Sequence, residues 1–432
     1  MTEEYVVGFG EVLWDVFDDK RRRPGGAPAI FAYHAAQSGF TGAIISAVNV
    51  GDECLPKKDS LTKTLKSLRL MPILQTNTRE TGEAKVFIDE NRRPSYIINT
   101  NAAWKYLAYK EELNVIASHC RAVYFGTLAV FCGGRLLRKA VKKFMGKMPE
   151  DSYKVFDVNF RYNGGEKLFE EESIKWGLKL CNVLKANKGE LDIIYERIIS
   201  DEIRKEREKC RELMQIYKNI SIIVLTKGSE GSTIYWRDKT AGIRIFSSAY
   251  QIEIKNPVGA GDAFVGAFIG SLLTGRSYLE SYDIAAKRAQ LVCTKGMSMP
   301  KIPAEGVFVS YSYEDSNIVD VFIDRMEELG IDVWRDTKKI DACDRILPRI
   351  KAAINDCKLV IFFSSANSNS SIYVKNEIGY AKDTQKRVFV VRLDGTPLYD
   401  AFEKQWGGDN GASLLKESIN VIVKRIHNKM RM

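Results

Sequence analysis

An alternation of apolar strand-like runs with helix-like segments, begun at Tyr5 and begun afresh at Val307, is what most restricts the fold of this chain. Parallel strands need a crossover between them and a helix usually supplies it, so this order predicts layered α/β sheets. The first series places strands over 5–8, 43–48, 122–125 and 155–158, and helices over 28–38, 61–68 and 135–144. Pro28 suits a first helical turn. Pro24-Gly25-Gly26 reads as a turn, and 83–89 with 95–99 as a short antiparallel pair that can form a lid. Strands over 183–186, 222–226 and 232–235 and an exposed helix over 201–217 continue the series. It closes on Asn256-Pro257-Val258-Gly259-Ala260-Gly261-Asp262, which runs straight into an apolar helix over 263–273. A linker over 300–305 precedes the second series: strands over 307–311, 331–334, 359–363 and 388–391, and a helix over 315–329 stopped by Gly330. The expected units are 1–303 and 306–432.

A chain of 432 residues is long enough for two or three domains. Its 45% hydrophobic and 28% charged residues are those of a globular protein with real cores. The longest apolar runs are strand-sized, and the N-terminus, with Glu3 and Glu4 at its head, does not read as a signal peptide. No membrane partner is expected. Eight cysteines stand singly without a C-x-x-C pair, and His34, His119 and His427 are the only histidines. That leaves no ligand set for zinc and points to reduced thiols in a cytoplasmic protein. Net charge is +10; residues 306–432 hold 19 Lys+Arg against 18 Asp+Glu, or +1, which leaves +9 on the front part. With no aromatic–basic interleaving, that charge reads as a solvated face, and nucleic acid is not an expected partner.

Gly259-Ala260-Gly261 at the head of a helix is an anion cradle, because small residues let backbone N–H groups approach a phosphate at the positive end of the helix. Asp262, in the first turn, can accept a proton from an attacking hydroxyl, although aspartate is also an ordinary residue there. No G-x-x-x-x-G-K-[ST] sequence occurs in the chain. Six ordered segments resemble the landmarks of the ribokinase/PfkB sugar kinases, most of all the fructokinase branch, over about 4–303. They are Gly10-Glu11-Val12-Leu13-Trp14-Asp15, Gly25-Gly26-Ala27-Pro28, Asp157-Val158-Asn159-Phe160-Arg161, Asn187-Lys188-Gly189-Glu190, Thr226-Lys227-Gly228-Ser229-Glu230-Gly231 and Gly259-Ala260-Gly261-Asp262.

The resemblance implies a three-layer sandwich with a small β lid. It also implies that Asp15, Gly25, Gly26 and Arg161 contact a sugar, and that Asn187 and Glu190 organise Mg2+ and phosphate, Glu190 being the metal residue. Thr226, Gly228 and Gly231 would surround ATP, Gly259, Ala260 and Gly261 would form the anion hole, and Asp262 would be the general base. Ile30 departs from the pattern at a position where the family keeps a sugar-binding Asn. An apolar side chain cannot replace those hydrogen bonds, so the usual sugar should bind worse. Asn256-Pro257 stands where an Asp-Thr pair is usual, Lys287 where a small or amide residue lines the adenine pocket, and Ala129-Val130-Phe131 replaces a more polar run. The pocket is expected to persist as a binding site.

The second series resembles TIR domains in four ordered segments: Val307-Phe308-Val309-Ser310-Tyr311-Ser312, Ile331-Asp332-Val333-Trp334-Arg335-Asp336, Ser364-Ser365, and Ser371-Ile372-Tyr373-Val374-Lys375-Asn376-Glu377. The resemblance implies a flavodoxin-like parallel sheet with a BB loop at about 337–344. Some TIR domains only self-associate, while others cleave the nicotinamide–ribose bond of NAD+ and sometimes cyclise the product. That cleavage is glycoside chemistry with an oxocarbenium-like ribose. Because nicotinamide leaves without being protonated, one carboxylate near the ribose can suffice, and the resemblance implies that Glu377 is that carboxylate. A glutamate on an exposed helix is ordinarily just solvated. Tyr373, four residues earlier and in place of the usual Trp, shares its helix face. Ser310, Tyr311, Trp334 and Asp336 fall at strand carboxyl ends, where open α/β sheets bind ligands, and Ser371 can add a hydroxyl. For Tyr311 and Trp334 core packing competes with that role. The expectation is an NAD+ hydrolase or cyclase that self-associates through its TIR domains, governed by a kinase-like unit that senses a nucleotide or sugar, in prokaryotic anti-phage defence. The alternative is an active fructokinase-like enzyme with a TIR scaffold.

Overall fold

A computed structural model of the chain describes every residue except 1–2, 19–20, 57–58, 91–93, 164, 239–241, 249–253, 303–305, 336–347, 400–401, 404–405, 407–410 and 432. The chain falls into two compact units, one built from Thr2–Ala36 and Phe40–Pro300, the other centred on Lys301–Met432.

In the first unit a nine-stranded sheet runs in the order Gly242–Ser248, Ser232–Asp238, Ile222–Thr226, Val183–Asn187, Tyr153–Asp157, Cys120–Gly126, Tyr5–Phe9, Thr41–Asn49 and Met71–Asn77. Seven strands are parallel and the first two are antiparallel additions at one edge. Tyr5–Phe9 is buried along its whole length, which is why it reads as a continuous apolar run rather than an alternating one. Phe9, Phe125, Phe144 and Phe156 anchor the main core. The helix Ala260–Leu273 packs against both Ala27–Ala36 and Tyr278–Lys295, and this burial explains its apolar sequence all round.

Tyr278–Lys295 was not anticipated, although its ends are well marked. The Ser277 hydroxyl accepts the Glu280 N–H at 3.3 Å, the Glu280 carboxylate accepts the Ser277 N–H at 2.9 Å, and Gly296 ends the helix at φ 64. The edge strands Met71–Asn77 and Gly242–Ser248 were missed as well, because half-exposed edges carry mixed polarity and leave no apolar run. The helix expected over 201–217 is Glu206–Ile216, preceded by a π-helical turn at Tyr195–Ile199.

The lid holds the expected antiparallel pair, Gly82–Ile88 with Pro94–Ile98, but it is a four-stranded sheet. Leu13–Phe17 lies parallel beside Gly82–Ile88, and Arg22–Gly25 pairs antiparallel on its other side. Part of the segment read as a turn therefore belongs to a strand, whose arginines hid the strand signal.

The second unit contains a parallel five-stranded sheet in the order Val333–Trp334, Val307–Ser310, Leu359–Ser364, Val388–Arg392 and Ala412–Ser413. Phe322 and Met326 of the helix Ser316–Glu328 share one core with Ile422 and Ile426 of Ile419–Arg431. Ile350 and Ile354 of Pro348–Asp356 share another with Val374 and Ile378 of Ile372–Asp383. Gly330, at φ 74, follows the first of these helices as expected. Asp336 and the loop over 337–344 lie outside the described residues. Among the described residues no helix is long and apolar enough to cross a membrane.

Candidate functional site

In the first unit, two neighbouring strands and a helix start bring charged side chains together out of solvent. Asp262, in the first turn of Ala260–Leu273, is buried. Its Oδ1 lies 3.5 Å from Lys185 Nζ and accepts from the Tyr124 hydroxyl at 3.3 Å. Lys185 Nζ is also 3.0 Å from Asp157 Oδ2, to which Tyr124 donates as well. Burial works against the Lys185 charge, but Asp157 and Asp262 outweigh it and hold the ammonium above its ordinary pKa. Asp157 is pushed up to about 7 by burial, with Lys185 pulling the other way.

Gly259, at φ +81, opens the helix, and a Cβ there would come within 3.0 Å of Ile30 Cδ1. Ile30 thus borders the Gly259–Gly261 helix start. A Cβ on Gly261 would lie 3.3 Å from Lys185 Cε, and 4.0 Å from Thr226 Cγ2. The cation and the end of the strand Ile222–Thr226 both flank that helix start. Ala260 is the first residue of the helix, and Gly228 and Gly231, both at positive φ, frame the tight turn Gly228–Glu230 that follows Thr226.

On the lid side, the Asp15 carboxylate presses on Gly25, where a Cβ would stand 2.3 Å from Oδ2. Gly26, at φ +97, approaches the Glu11 carbonyl. Burial pushes Asp15 up to about 7, against the pull of Arg161. The Arg161 guanidinium lies 4.3 Å over the ring of Tyr96 on the lid strand Pro94–Ile98. Burial pushes Glu11 up to about 8, and its Oε2 has no hydrogen-bond partner among the described residues.

Glu190 is occupied structurally. One oxygen accepts the Asn187 N–H at 2.7 Å and the other the Phe160 N–H at 3.0 Å, while the Asn187 side chain caps the Glu190 N–H at 2.9 Å. Each oxygen thus has one of its two acceptor sites taken by a backbone N–H. Among the described residues no group of three or more His, Cys, Asp or Glu is arranged to hold a metal ion. Lys185, Asp157, Tyr124 and Glu11 were given no role in the sequence reading. A lysine inside the apolar strand Val183–Asn187 was the available signal, because a buried charge requires a partner.

In the second unit, Ser310 ends the strand Val307–Ser310 and Glu377 sits on the helix Ile372–Asp383. Glu377 is only 8% exposed, and the Ser310 hydroxyl donates to its Oε2 at 2.6 Å. It is not the solvated surface glutamate that its helical setting alone suggests. Tyr373 lies one turn earlier, half-buried. Ser371 caps the helix, its Oγ accepting the Val374 N–H at 3.4 Å, and Ser365 caps Ala366–Ser370 and donates to Asp315. Trp334 stacks on Phe308 at 5.1 Å and packs against a core cluster, so much of its ring is structural. Tyr311, next after Ser310, is half-buried. The buried Ser364 Oγ has no hydrogen-bond partner among the described residues.

Residues 9–305 match the family model described as pfkB family carbohydrate kinase, and residues 307–412 match the TIR domain model. The chain belongs to the pfkB carbohydrate kinase family. It carries a TIR domain behind its pfkB domain. A 5-dehydro-2-deoxygluconokinase of Clostridium beijerinckii is 30% identical over 168 residues, 37% of this chain and 47% of that protein. The pfkB chain thus spans about half the length of this curated relative. Among solved structures, fructokinase from Vibrio cholerae O395 in its fructose-, ADP- and calcium-bound form is similar at a TM-score of 0.55 with 19% identity. That match covers 69% of this chain and 95% of the fructokinase. An uncharacterized sugar kinase of Pyrococcus horikoshii in complex with ATP is similar at a TM-score of 0.52 with 22% identity, covering 67% and 93%. At these identities the likeness shows a shared ribokinase-like fold.

Proposed function

We propose that the TIR domain cleaves the nicotinamide–ribose bond of NAD+ with Glu377 as its carboxylate, and that the pfkB unit binds a nucleotide or sugar that governs the cleavage. The observation that carries this reading is the burial of Glu377 and its 2.6 Å hydrogen bond from Ser310 at the carboxyl end of a central strand. A solvated surface glutamate has neither feature. As the C1′–N bond breaks, neutral nicotinamide departs and positive charge builds on the ribose, which a fixed carboxylate stabilises. Water then adds at C1′, giving ADP-ribose and a proton; attack by an adenine nitrogen instead gives a cyclic product. Tyr311, Tyr373 and the exposed part of Trp334 would border the nucleotide. Self-association through the TIR domains would complete the site, in a cytoplasmic protein of anti-phage defence.

On the pfkB side, Asp15, Gly25, Gly26 and Arg161 would hold a sugar-like ligand. Asn187, Thr226, Gly228, Gly231 and Gly259–Gly261 would hold ATP, and Glu190 would organise Mg2+. The retention of a buried Asp262 beside the Gly259–Gly261 cradle favours a second reading, an active sugar kinase with a TIR scaffold. In that case Asp262 would take the proton of the attacking hydroxyl while the helix start steadies the phosphoryl charge. Ile30 against Gly259 argues for the first reading, since an apolar wall there supplies no hydrogen bond to a sugar. Nicotinamide release from NAD+ by the purified chain, with and without candidate ligands, tests the proposal against Glu377→Ala. Loss of release in the variant supports it; the absence of any Glu377-dependent release rejects it.

A further inference from the structure

Ser310 was expected to touch the nucleotide, yet its one hydroxyl hydrogen is committed elsewhere. Its side chain is fully buried, and its Oγ donates to Glu377 Oε2 at 2.6 Å. That length lies in the range of a hydroxyl bonded to an ionised carboxylate, a stronger and more directional contact than a neutral pair. The strand that carries Ser310 is flanked by parallel neighbours on both sides, Val333–Trp334 and Leu359–Ser364, with Ser310 in register with Phe362. The backbone of the donor residue is therefore held by the sheet on the Leu359–Ser364 side. Its acceptor rides on a separate helix at the end of a side chain with three rotatable bonds. Such a contact selects one orientation of the carboxylate out of several.

We propose that Ser310 is a positioning residue for Glu377: it holds the carboxylate in the orientation that faces the ribose and does not itself bind NAD+. This inference rests on the NAD+-cleaving reading and adds to it the residue that orients its carboxylate. A contact that matters only for aim should affect the bond-breaking step and leave substrate binding alone, because the carboxylate stabilises charge that exists only in the transition state.

The test uses the full chain, measuring nicotinamide release across a range of NAD+ concentrations for the wild type, Ser310→Ala, Ser310→Cys, Ser310→Thr and Glu377→Ala. Ser310→Ala is expected to lower kcat by roughly 10- to 100-fold, the usual effect of losing a hydrogen bond to a charged group. KM should stay within about twofold, as it does when only transition-state contacts are lost. Cys keeps the volume but donates weakly, so it should follow Ala. Thr keeps the donor and should restore most of the rate. If Ser310→Ala proves unstable, the contrast between Cys and Thr carries the test. Wild-type cleavage that depends on Glu377 but is unchanged in Ser310→Ala, or a rise in KM at constant kcat, overturns the inference and leaves the reading standing. Cys and Thr variants with the same rate overturn it too. The absence of Glu377-dependent cleavage in the wild type overturns the reading and this inference together.

Discussion

Replacing Glu11 with glutamine should make the pfkB unit more stable at alkaline pH while changing little in acid. Glu11 is 3% exposed, and burial moves its carboxyl from 4.5 up to about 8. A folded-state pKa above the unfolded one means that the folded protein binds more protons between those values. The stabilising contribution is then complete below about pH 4.5 and is lost as pH rises through about 8. Each pKa unit corresponds to about 1.4 kcal/mol, so the shift amounts to at most ~5 kcal/mol, which relaxation and water entry reduce to about 2–4 kcal/mol. Glutamine imitates the protonated form at nearly the same volume. Asp15 and Asp157, each pushed up to about 7, contribute in the same direction and remain in the variant. Urea unfolding of the full chain at pH 5 and pH 9, followed by tryptophan fluorescence, measures the difference. The pfkB unit holds Trp14, Trp104, Trp176 and Trp236 of the six tryptophans, so its transition dominates the signal. Wild type and Glu11→Gln should nearly coincide at pH 5, and the variant should be the more stable at pH 9. An equal loss of stability in both proteins on going to pH 9 would show that Glu11 does not carry the pH dependence.

Two further substitutions probe the same unit. Lys185→Met removes the cation between Asp157 and Asp262 and should cost about 3–5 kcal/mol in the same assay, less near pH 5, where Asp157 takes up a proton. A change below ~1 kcal/mol would deny the buried ion cluster its structural weight. Gly26→Ala should cost about 1–3 kcal/mol or more, because φ is +97 and a Cβ would sit 2.5 Å from the Glu11 carbonyl oxygen. Gly134→Ala, at φ +54 with nothing within 4 Å, is its control and should cost only about 1 kcal/mol. Equal losses in the two variants would rule out the clash as the cause.

Features written as runs or as contiguous motifs were legible in the sequence. The buried strands Tyr5–Phe9 and Leu359–Ser364 announce themselves by unbroken apolar residues, and Asp262 and Glu377 by the segments around them. The lid strand Arg22–Gly25 and the edge strands lacked that signal, because a pairing partner rather than the residues themselves makes them strands. The helix Tyr278–Lys295 had a capping box and a C-terminal glycine that could have been read. Partnerships across long separations were the hidden part. Nothing near Lys185 in the chain points to Asp157 and Asp262, and the motifs that put Ser310 and Glu377 in one pocket do not say that the two are bonded. For Trp334, where core packing and the nucleotide pocket compete, much of the ring packs on Phe308.

Which half of the chain performs chemistry can be decided on one preparation. Nicotinamide released from NAD+ and ADP formed from ATP with fructose are measured side by side for the wild type, Glu377→Ala and Asp262→Asn. The expected result is nicotinamide release that disappears in Glu377→Ala, with no sugar-dependent ADP formation large enough to require Asp262. Robust sugar phosphorylation abolished by Asp262→Asn, with nicotinamide release absent or indifferent to Glu377, would contradict it.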